Sequence, residues 1–421
     1  MKTNLRRNVI SILVDVCGFG TSLGFIGSDT LLPILAFTLT RDKALVGLIG
    51  TLWIGMWLLP QLVAGRWMAR RARKQPVMLT SALISRVALT VLVVLLALGR
   101  GLDPFFMFIC VAVGVSIFRG FDAVAAVAWL DILTKALPMR VRSQVFGMGQ
   151  AVSNVLRFGA ALIVAAAISG GLQYPDSFVM LYGFAALALA IGWVGLASIR
   201  EPVEDHAAAS SIRMGFLAHA LHILREDQRF RQITITRLLL GTFDLARSQY
   251  AVHATVELGL PDVAIGTFTA AQTVGAVIGS VLLGRLSERR GSTPVIRVTT
   301  ILGVSIPVLA LMLHLFGHQQ PALAMGGYLL LYAMLGAIDA SGLIGILVYI
   351  VDIAPPGERT SYTGLSNTIT GLVVIMPTLG GVVLQLTSYQ VLFACAMAGA
   401  GVSLLAALRL APAPVRDEVA A

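Results

Sequence analysis

The sequence predicts an all-α integral membrane protein with twelve transmembrane helices, arranged as two related six-helix bundles. Three observations predict this fold: an apolar composition, twelve apolar runs of spanning length, and motifs that repeat between the two halves. Of 421 residues, 57% are hydrophobic and only 12% are charged, whereas soluble domains carry about 25% charged residues. Because so few charges cannot cover such an apolar chain in water, we expect lipid to be its solvent.

Twelve runs reach the about 20 apolar residues that a membrane-spanning helix needs. In chain order they are Asn8–Phe37, Val46–Ala64, Pro76–Leu98, Phe105–Leu130, Val145–Ile168, Phe178–Ile199, Ile233–Leu258, Ile265–Leu283, Pro294–Phe316, Ala322–Ile353, Ser361–Leu386 and Tyr389–Leu410. The first run follows a basic start like that of a signal peptide, but it carries Asp15 and continues to Phe37. We therefore interpret it as an uncleaved first helix.

A polar interval separates the sixth run from the seventh and predicts a three-part organisation. Residues 1–200 form the first bundle, 201–231 a linker, and 232–421 the second bundle. Within the linker, SIRMGFLAHALHILREDQ gathers its apolar side chains on one helical face and its charged ones on the other. This pattern predicts an amphipathic helix at the cytoplasmic membrane surface.

The distribution of basic residues predicts the topology. If the N-terminus is cytoplasmic, 23 of the 31 Lys and Arg lie on the cytoplasmic side, and the outer loops hold only Arg41, Lys43 and Arg100. By the positive-inside rule both termini are therefore cytoplasmic, in a plasma membrane such as the bacterial inner membrane. The same distribution explains the net charge of +10, because most of the basic residues face the cytoplasmic surface of the membrane. No nucleic-acid partner is therefore expected.

Short motifs recur at a nearly constant offset. Pro138, Arg142 and Gly147 follow run four, and Pro355, Arg359 and Gly364 follow run ten at an offset of 217. The same offset relates Asp122-Ala123 to Asp339-Ala340 and Gln150 to Asn367. Since each half holds six runs, both copies enter the membrane in the same orientation, as parallel repeats do.

Twelve spans in two parallel halves, with a basic glycine–arginine loop after runs two and eight, resemble the major facilitator superfamily over essentially the whole chain. The loop GRLSERRG, residues 284–291, is similar to the family's loop motif, whereas GRWMARRARKQP departs from it at Ala69 and Ala72. The resemblance implies a transporter that works by alternating access, with runs one, four, seven and ten lining a central cavity. It also implies that these loops gate the cytoplasmic side. The gating residues are Gly65, Arg66, Arg70, Arg73, Arg142, Gly284, Arg285, Glu288, Arg289, Gly291 and Arg359.

Charged residues inside the spans mark the candidate site, because each costs about 2.5–3.5 kcal/mol at mid-bilayer. Eight of the ten lie in runs one, four, seven and ten. The ten are Asp15, Asp29, Arg86, Arg119, Asp122, Arg157, Arg237, Asp244, Arg247 and Asp339. The predicted substrate- or proton-binding residues are Asp29, Arg119, Asp122, Asp244, Arg247 and Asp339.

Some of these charges have a structural alternative. The i,i+3 spacing of Arg119 with Asp122, and of Asp244 with Arg247, also suits ion pairs that only fix packing. Arg86 and Arg157 lie off the four cavity runs, so we expect them to be structural. Asp131 and Asp352 are expected to latch the basic loops, and Asp15 is placed nearer the cytoplasmic end, where it could do the same.

The sequence favours a secondary transporter of a small solute, coupled to protons and exporting an amphiphilic compound. Uptake of an organic anion, a membrane-embedded enzyme and a non-transporting receptor remain alternatives. We find neither a histidine-rich metal cluster nor a nucleophile beside a histidine in the sequence, so no enzyme activity, cofactor or metal is expected. The expected partners are the solute, a coupling ion and membrane lipid, and the protein is expected to be a monomer.

Overall fold

Helices make up all the regular secondary structure that the computed structural model describes, which covers residues 2–68, 71, 73–171, 174–201, 222–355 and 358–412. The predicted all-α class is confirmed. The chain divides into two compact units. The first unit comprises Met1–Ser210 with Pro261–Ala270, and the second comprises Ser211–Leu260 with Ala271–Ala421. Most of the predicted linker helix falls in 202–221, outside the described residues, so the domain boundaries stay a prediction.

The first unit holds seven helices that account for the first six predicted runs. They are α1 (Lys2–Ile26), α2 (Leu31–Thr40), α3 (Lys43–Met68), α4 (Gln75–Leu98), α5 (Pro104–Ala136), α6 (Met139–Ser169) and α7 (Asp176–Ser198). Helices α1 and α2 together form the first run, which is broken at residues 27–30. Helix α1 packs against α6 and α7, and α5 packs against α3 and α4.

The second unit contains the remaining helices, several of which are interrupted. They are α8 (Gln228–Leu240), α9 (Ala264–Arg290), α10 (Ser292–Phe316), α11 (Pro321–Ser341), α12 (Val348–Ile353), α13 (Arg359–Thr370), α14 (Met376–Leu386) and α15 (Tyr389–Leu408). The first residues of α9 group with the first unit. A π-helical segment, Gly342–Leu347, joins α11 to α12, and a 3₁₀ segment, Gly371–Ile375, joins α13 to α14.

Among the described residues, eleven helical stretches are long and apolar enough to cross a bilayer. They coincide with eleven of the twelve predicted runs. The exception is the seventh, Ile233–Leu258, which carries Arg237, Asp244 and Arg247. Its helix also changes type repeatedly. After α8 come 3₁₀ turns at Gly241–Leu245 and Arg247–Gln249, one α-helical turn at Tyr250–Val252, and a π-helical segment at His253–Glu257.

Two of the breaks coincide with prolines of the sequence. Pro33 lies in the first turn of α2, and Pro377 is the second residue of α14. A proline in the first turn removes no helical hydrogen bond, because the N–H groups there have no partner within the helix. Both prolines are therefore compatible with the helices that begin at these interruptions of runs one and eleven.

Large apolar side chains face outward on both units, as lipid requires. Leu98 is 80% exposed in the first unit and Leu386 is 78% exposed in the second, and many other Leu, Ile and Val side chains are more than 40% exposed. Soluble monomers rarely expose so much contiguous apolar surface. A bilayer solvates these apolar side chains, and the backbone N–H and C=O groups of the helices form their hydrogen bonds within each helix.

The segment PTLGG, residues 377–381, makes a close contact with main chain at Gly380. A Cβ placed on Gly380 would lie 1.8 Å from the carbonyl oxygen of Leu245, which is main chain and cannot rotate away. Helix α14 thus packs directly on the 3₁₀ turn that carries Asp244. The glycine brings the backbone of α14 to the backbone of the interrupted seventh run.

We expect Gly380→Ala to destabilise the second unit by about 3 kcal/mol or more, because overpacking against main chain forces the helices apart. Thermal unfolding of the purified protein in detergent measures the loss. The matched control is Gly401→Ala in α15, where a Cβ meets nothing within 4 Å and the alanine improves helix propensity. Equal thermal stability of the two variants would contradict the proposed contact.

Candidate functional site

A cavity of about 550 Å³ lies within the first unit, among α1, α3, α4, α5, α6 and α7. Four charged side chains line it, two carboxylates and two guanidinium groups: Asp15, Asp122, Arg86 and Arg157. Aromatic and amide side chains share the lining, namely Phe19, Trp57, Trp129, Phe146, Gln61, Gln150 and Asn154. The volume is that of a pocket for a drug-sized molecule, and an apolar wall with a few convergent polar groups is typical of such pockets.

Asp122 is the central carboxylate of this cavity and is only 5% exposed. Arg86 Nη1 donates to Asp122 Oδ1 over 3.1 Å, whereas Arg119 Nη1 lies 3.9 Å from Asp122 Oδ2. Although Arg86 lies off the four predicted cavity runs, it lines the cavity and pairs with Asp122, and its expected structural role stays a prediction. Helix α4 brings it there, and no local spacing in the sequence reveals a contact between residues 36 apart.

Arg119, the predicted partner of Asp122, is held mainly by aromatic rings. Its guanidinium carbon lies 4.3 Å from the ring centroid of Trp53 and 4.5 Å from that of Trp57. Its Nε also donates to the carbonyl oxygen of Trp53 over 3.2 Å. These cation–π contacts direct the charge toward α3. Arg119 therefore lies behind Trp57 and is not among the residues that line the cavity.

Asp15 lines the same cavity, and it interacts electrostatically with Arg86 and Asp122. The alternative role of Asp15 as a latch for the basic loops stays a prediction. Asp29 lies in the turn between α1 and α2, is partly buried, and is not among the cavity-lining residues. Its predicted role in binding stays a prediction.

In the second unit, three predicted site residues meet in one network. Arg247 Nη2 donates to both carboxylate oxygens of Asp339 over 2.8 Å, and Arg247 Nη1 lies 3.5 Å from Asp244 Oδ1. Gln272 Nε2, from α9, donates to Asp339 Oδ2 over 3.1 Å. The side chain of Asp339 is 38% exposed, so it remains accessible. The repeat-related carboxylates Asp122 and Asp339 thus each pair with an arginine of their own unit.

Arg237 serves the packing of the second unit. Its Nη1 donates to the hydroxyl of Ser366 over 3.1 Å and to Oδ1 of Asn367 over 2.9 Å. It ties α8 to α13, so Asn367 is a partner of this arginine. Gln150, which occupies the equivalent position in the first half, lines the cavity.

The basic loop of the first unit is latched by Asp131 as the sequence predicts. Asp131 forms ion pairs with Lys74 over 2.8 Å and with Lys135 over 2.9 Å. Arg142 donates to the carbonyl oxygens of Thr134 and Leu137 and so fixes the turn between α5 and α6. Gly65 lies in the last turns of α3, and Arg73 is exposed beyond it. Ala69, Arg70 and Ala72, and the side chain of Arg66, lie outside the described residues.

The corresponding motif in the second unit is mostly helical. Gly284 and the exposed side chains of Arg285, Glu288 and Arg289 belong to the last two turns of α9. Gly291 alone separates α9 from α10, with a φ of 76° that favours glycine. Arg359 begins α13 and is exposed. These positions suit loop gating, which stays a prediction.

Sequence reasoning missed three features of the candidate sites. It did not find the Arg86–Asp122 pair, the position of Asp15 in the cavity, or the contact of the buried His253 with the partly exposed His314. The general rule that ionisable residues inside spans are functional could have signalled Arg86 and Asp15. No local pattern links residues 253 and 314.

Known proteins are similar to this chain in part of its sequence and in its whole fold. The family model described as Major Facilitator Superfamily matches residues 248–421. A search of curated proteins gives no match.

Solved transporter structures are similar over nearly the whole chain. A bacterial homologue of the iron transporter ferroportin, in an inward-facing state, is 14% identical with a TM-score of 0.70, and the alignment covers 97% of this chain and 99% of that one. An auto-inhibited POT family peptide transporter is 13% identical with a TM-score of 0.69, covering 99% of both chains. A mutant of the nucleoside transporter NupG is 16% identical with a TM-score of 0.68, covering 96% of this chain and 99% of that one.

At these identities the structures share a fold and carry no substrate assignment. The chain thus shares the fold of these transporters, and its residues 248–421 are similar to the Major Facilitator Superfamily.

Proposed function

We propose that the protein exports a small amphiphilic solute across the plasma membrane by alternating access, in exchange for protons. The observation that carries this proposal is the cavity of the first unit, where the buried carboxylate of Asp122 lies beside Trp57 and Trp129. A proton and a solute can both interact with that carboxylate. Competition between them for one group couples the two movements.

The cavity wall supports an amphiphilic, ring-bearing solute. Trp57, Trp129 and Phe146 offer aromatic faces, and Gln61 and Asn154 offer amide groups at the same surface. Aromatic walls bind flat apolar groups, and the few polar side chains fix the orientation of the bound molecule. A sugar would need a denser set of amide and hydroxyl partners than this wall provides.

The pairing of Asp122 with Arg86 supports proton coupling. In the ionised state the carboxylate accepts from Arg86 over 3.1 Å within a largely apolar wall. Protonation of Asp122 removes the charge that holds Arg86, because a guanidinium group stays charged and cannot lose its own proton. The cavity then changes its net charge by one unit, which gives the two protonation states different affinities for a charged solute.

A second candidate function is the uptake of an organic anion together with a proton. The observation that favours it is the presence of Arg86 and Arg157 in the same wall. Both guanidinium groups can bind a carboxylate through paired hydrogen bonds. In this case protonation of Asp122 frees Arg86 for the anion, so the solute and the proton move together.

The proposed orientation places both termini in the cytoplasm. It is supported by the concentration of Lys and Arg on one side of the predicted spans. The chain is proposed to act as a monomer, because each six-helix half already supplies its own charged site.

Flux into proteoliposomes tests the proposal. Purified protein is first screened by thermal shift against cationic amphiphiles such as ethidium and berberine and against the anions salicylate and benzoate. Compounds that stabilise it are then assayed in liposomes with an imposed pH gradient, with and without nigericin. We expect a cationic amphiphile to move against its gradient when protons flow the other way. Accumulation of salicylate with the proton flow would support the second candidate, and no gradient-dependent movement of any stabilising compound would contradict both.

A further inference from the structure

Asp15 is a carboxylate of the first-unit cavity that has no basic side chain as a direct partner. It lies midway along α1, is only 7% exposed, and lines the cavity. Among the described residues, no Lys, Arg or His forms an ion pair with it. A buried carboxylate without a cation is costly, because burial removes the water that would otherwise stabilise its charge. A cationic group brought by a ligand would supply the partner.

The two basic side chains of the cavity are positioned elsewhere. Arg86 acts on Asp15 electrostatically, but its Nη1 donates to Asp122 over 3.1 Å. The stem of Arg157 packs against Gly24, since a Cβ on that glycine would lie 3.2 Å from Arg157 Cγ. Gly24 follows Asp15 by nine residues, which is about 13.5 Å along α1. Both guanidinium groups therefore leave the Asp15 carboxylate without an ion pair.

Helix α7 approaches Asp15 through a glycine. A Cβ added to Gly192 would lie 3.4 Å from the main-chain oxygen of Asp15 and 3.6 Å from its Oδ1. Gly192 lies well inside α7, where each backbone N–H bonds to a carbonyl of the preceding turn. At this contact α7 offers neither a side chain nor a spare N–H, so the carboxylate depends on the cavity for a partner.

Aromatic rings border the cavity beside Asp15. Phe19 follows Asp15 by one helical turn on the same face of α1 and also lines the cavity. The indole of Trp129, from α5, interacts with the carboxylate itself, and its ring centroid lies 6.5 Å from that of Phe146. Aromatic faces attract cations because their electron-rich rings carry partial negative charge. A carboxylate among such rings favours a cation and repels an anion.

We propose that Asp15 binds the cationic group of the solute and so selects flat aromatic cations, such as protonated amines, over neutral and anionic molecules of the same shape. The N–H groups of the cation donate to the Asp15 oxygens, and its rings lie against Phe19 and Trp129. The inference rests on the proposed function for its role in transport. Asp122 remains the carboxylate at which the proton competes, because protonation there lowers the negative charge that the bound cation meets.

Three acridines of similar shape and different charge test the inference. At neutral pH, 9-aminoacridine is a cation, acridine is neutral and acridine-9-carboxylate is an anion. Their fluorescence is titrated with purified protein in nanodiscs without a pH gradient, and the signal of empty nanodiscs is subtracted. The test variant is Asp15→Asn, which keeps the shape and loses the charge. The matched control, Asp176→Asn, removes the same charge from an exposed residue that starts α7 and pairs with Arg100.

We expect the wild type to bind 9-aminoacridine at least about tenfold more tightly than either analogue, since a hydrogen bond to a charged group contributes this much. Asp15→Asn should lose this preference and keep its affinity for acridine. Asp176→Asn should bind all three compounds like the wild type.

Equal affinity of the wild type for the three acridines, or an undiminished preference in Asp15→Asn, would overturn the inference. An equal loss of affinity for all three compounds would also overturn it, because it would indicate a change of cavity shape. The comparison on the wild type needs no variant, so it decides the question even if Asp15→Asn does not fold. Binding is measured without flux, so a protein that prefers the cation but moves no solute in liposomes would support this inference and contradict only the proposed function.

Discussion

Asp122→Asn is expected to abolish solute accumulation against a gradient while leaving downhill movement in place. Asparagine has nearly the shape of aspartate, and its amide oxygen can still accept from Arg86, so the cavity should keep its form. It cannot take up a proton, however, and without a protonation step the proton gradient has no differential effect on solute binding. The concentrations inside and outside the liposome should therefore become about equal.

The control for this variant is Asp103→Asn, on the same helix. Asp103 is exposed and caps the start of α5 by accepting from the Phe106 N–H over 2.9 Å, a role that asparagine fills equally well. Accumulation by Asp103→Asn should match the wild type. Undiminished accumulation by Asp122→Asn across the pH range would show that this carboxylate is not the coupling group.

Arg86→Met is expected to destabilise the first unit by about 3–5 kcal/mol, the cost of leaving one member of a buried ion pair without its partner. Both side chains are strongly buried, at 6% exposure for Arg86 and 5% for Asp122. Arg119 cannot replace the lost guanidinium, because Trp53 and Trp57 hold it 3.9 Å from the carboxylate. Thermal unfolding followed by tryptophan fluorescence measures the effect.

The double variant Arg86→Met with Asp122→Leu distinguishes two causes of the lost stability: the unpaired charge of Asp122 and the lost packing of Arg86. Replacing a buried pair by apolar side chains of similar volume is often neutral, so the second substitution should recover most of the stability. A double variant as unstable as Arg86→Met alone would mean that Arg86 acts through packing and that its ion pair contributes little.

The sequence predicts the fold well because the bilayer imposes a simple rule. Eleven spans follow from run length and apolarity alone, and the breaks at Pro33 and Pro377 follow from the chemistry of proline. The 3₁₀ and π turns of the seventh and tenth runs are not predicted. They depend on contacts between helices, such as that of Gly380 with Leu245, which no local pattern encodes.

Within the candidate sites, local spacing predicts contacts only along one helix. The i,i+3 spacing of Asp244 and Arg247 correctly indicates an ion pair. The same spacing indicates the pair of Arg119 with Asp122, which is present at 3.9 Å. The tryptophan rings of α3 also hold Arg119, and the shorter pair of Asp122, over 3.1 Å, is with Arg86 from α4. The choice of partner depends on helix packing, so it requires the three-dimensional structure.

The central claim is that a proton and a solute compete for Asp122, and proton release on solute binding tests it most directly. A stabilising cationic amphiphile is added to purified protein in weakly buffered solution, and a pH-sensitive dye reports the protons set free. The account predicts release of up to about one proton per bound molecule from the wild type and none from Asp122→Asn. Solute binding without proton release at any pH, or equal release from Asp122→Asn, would contradict it.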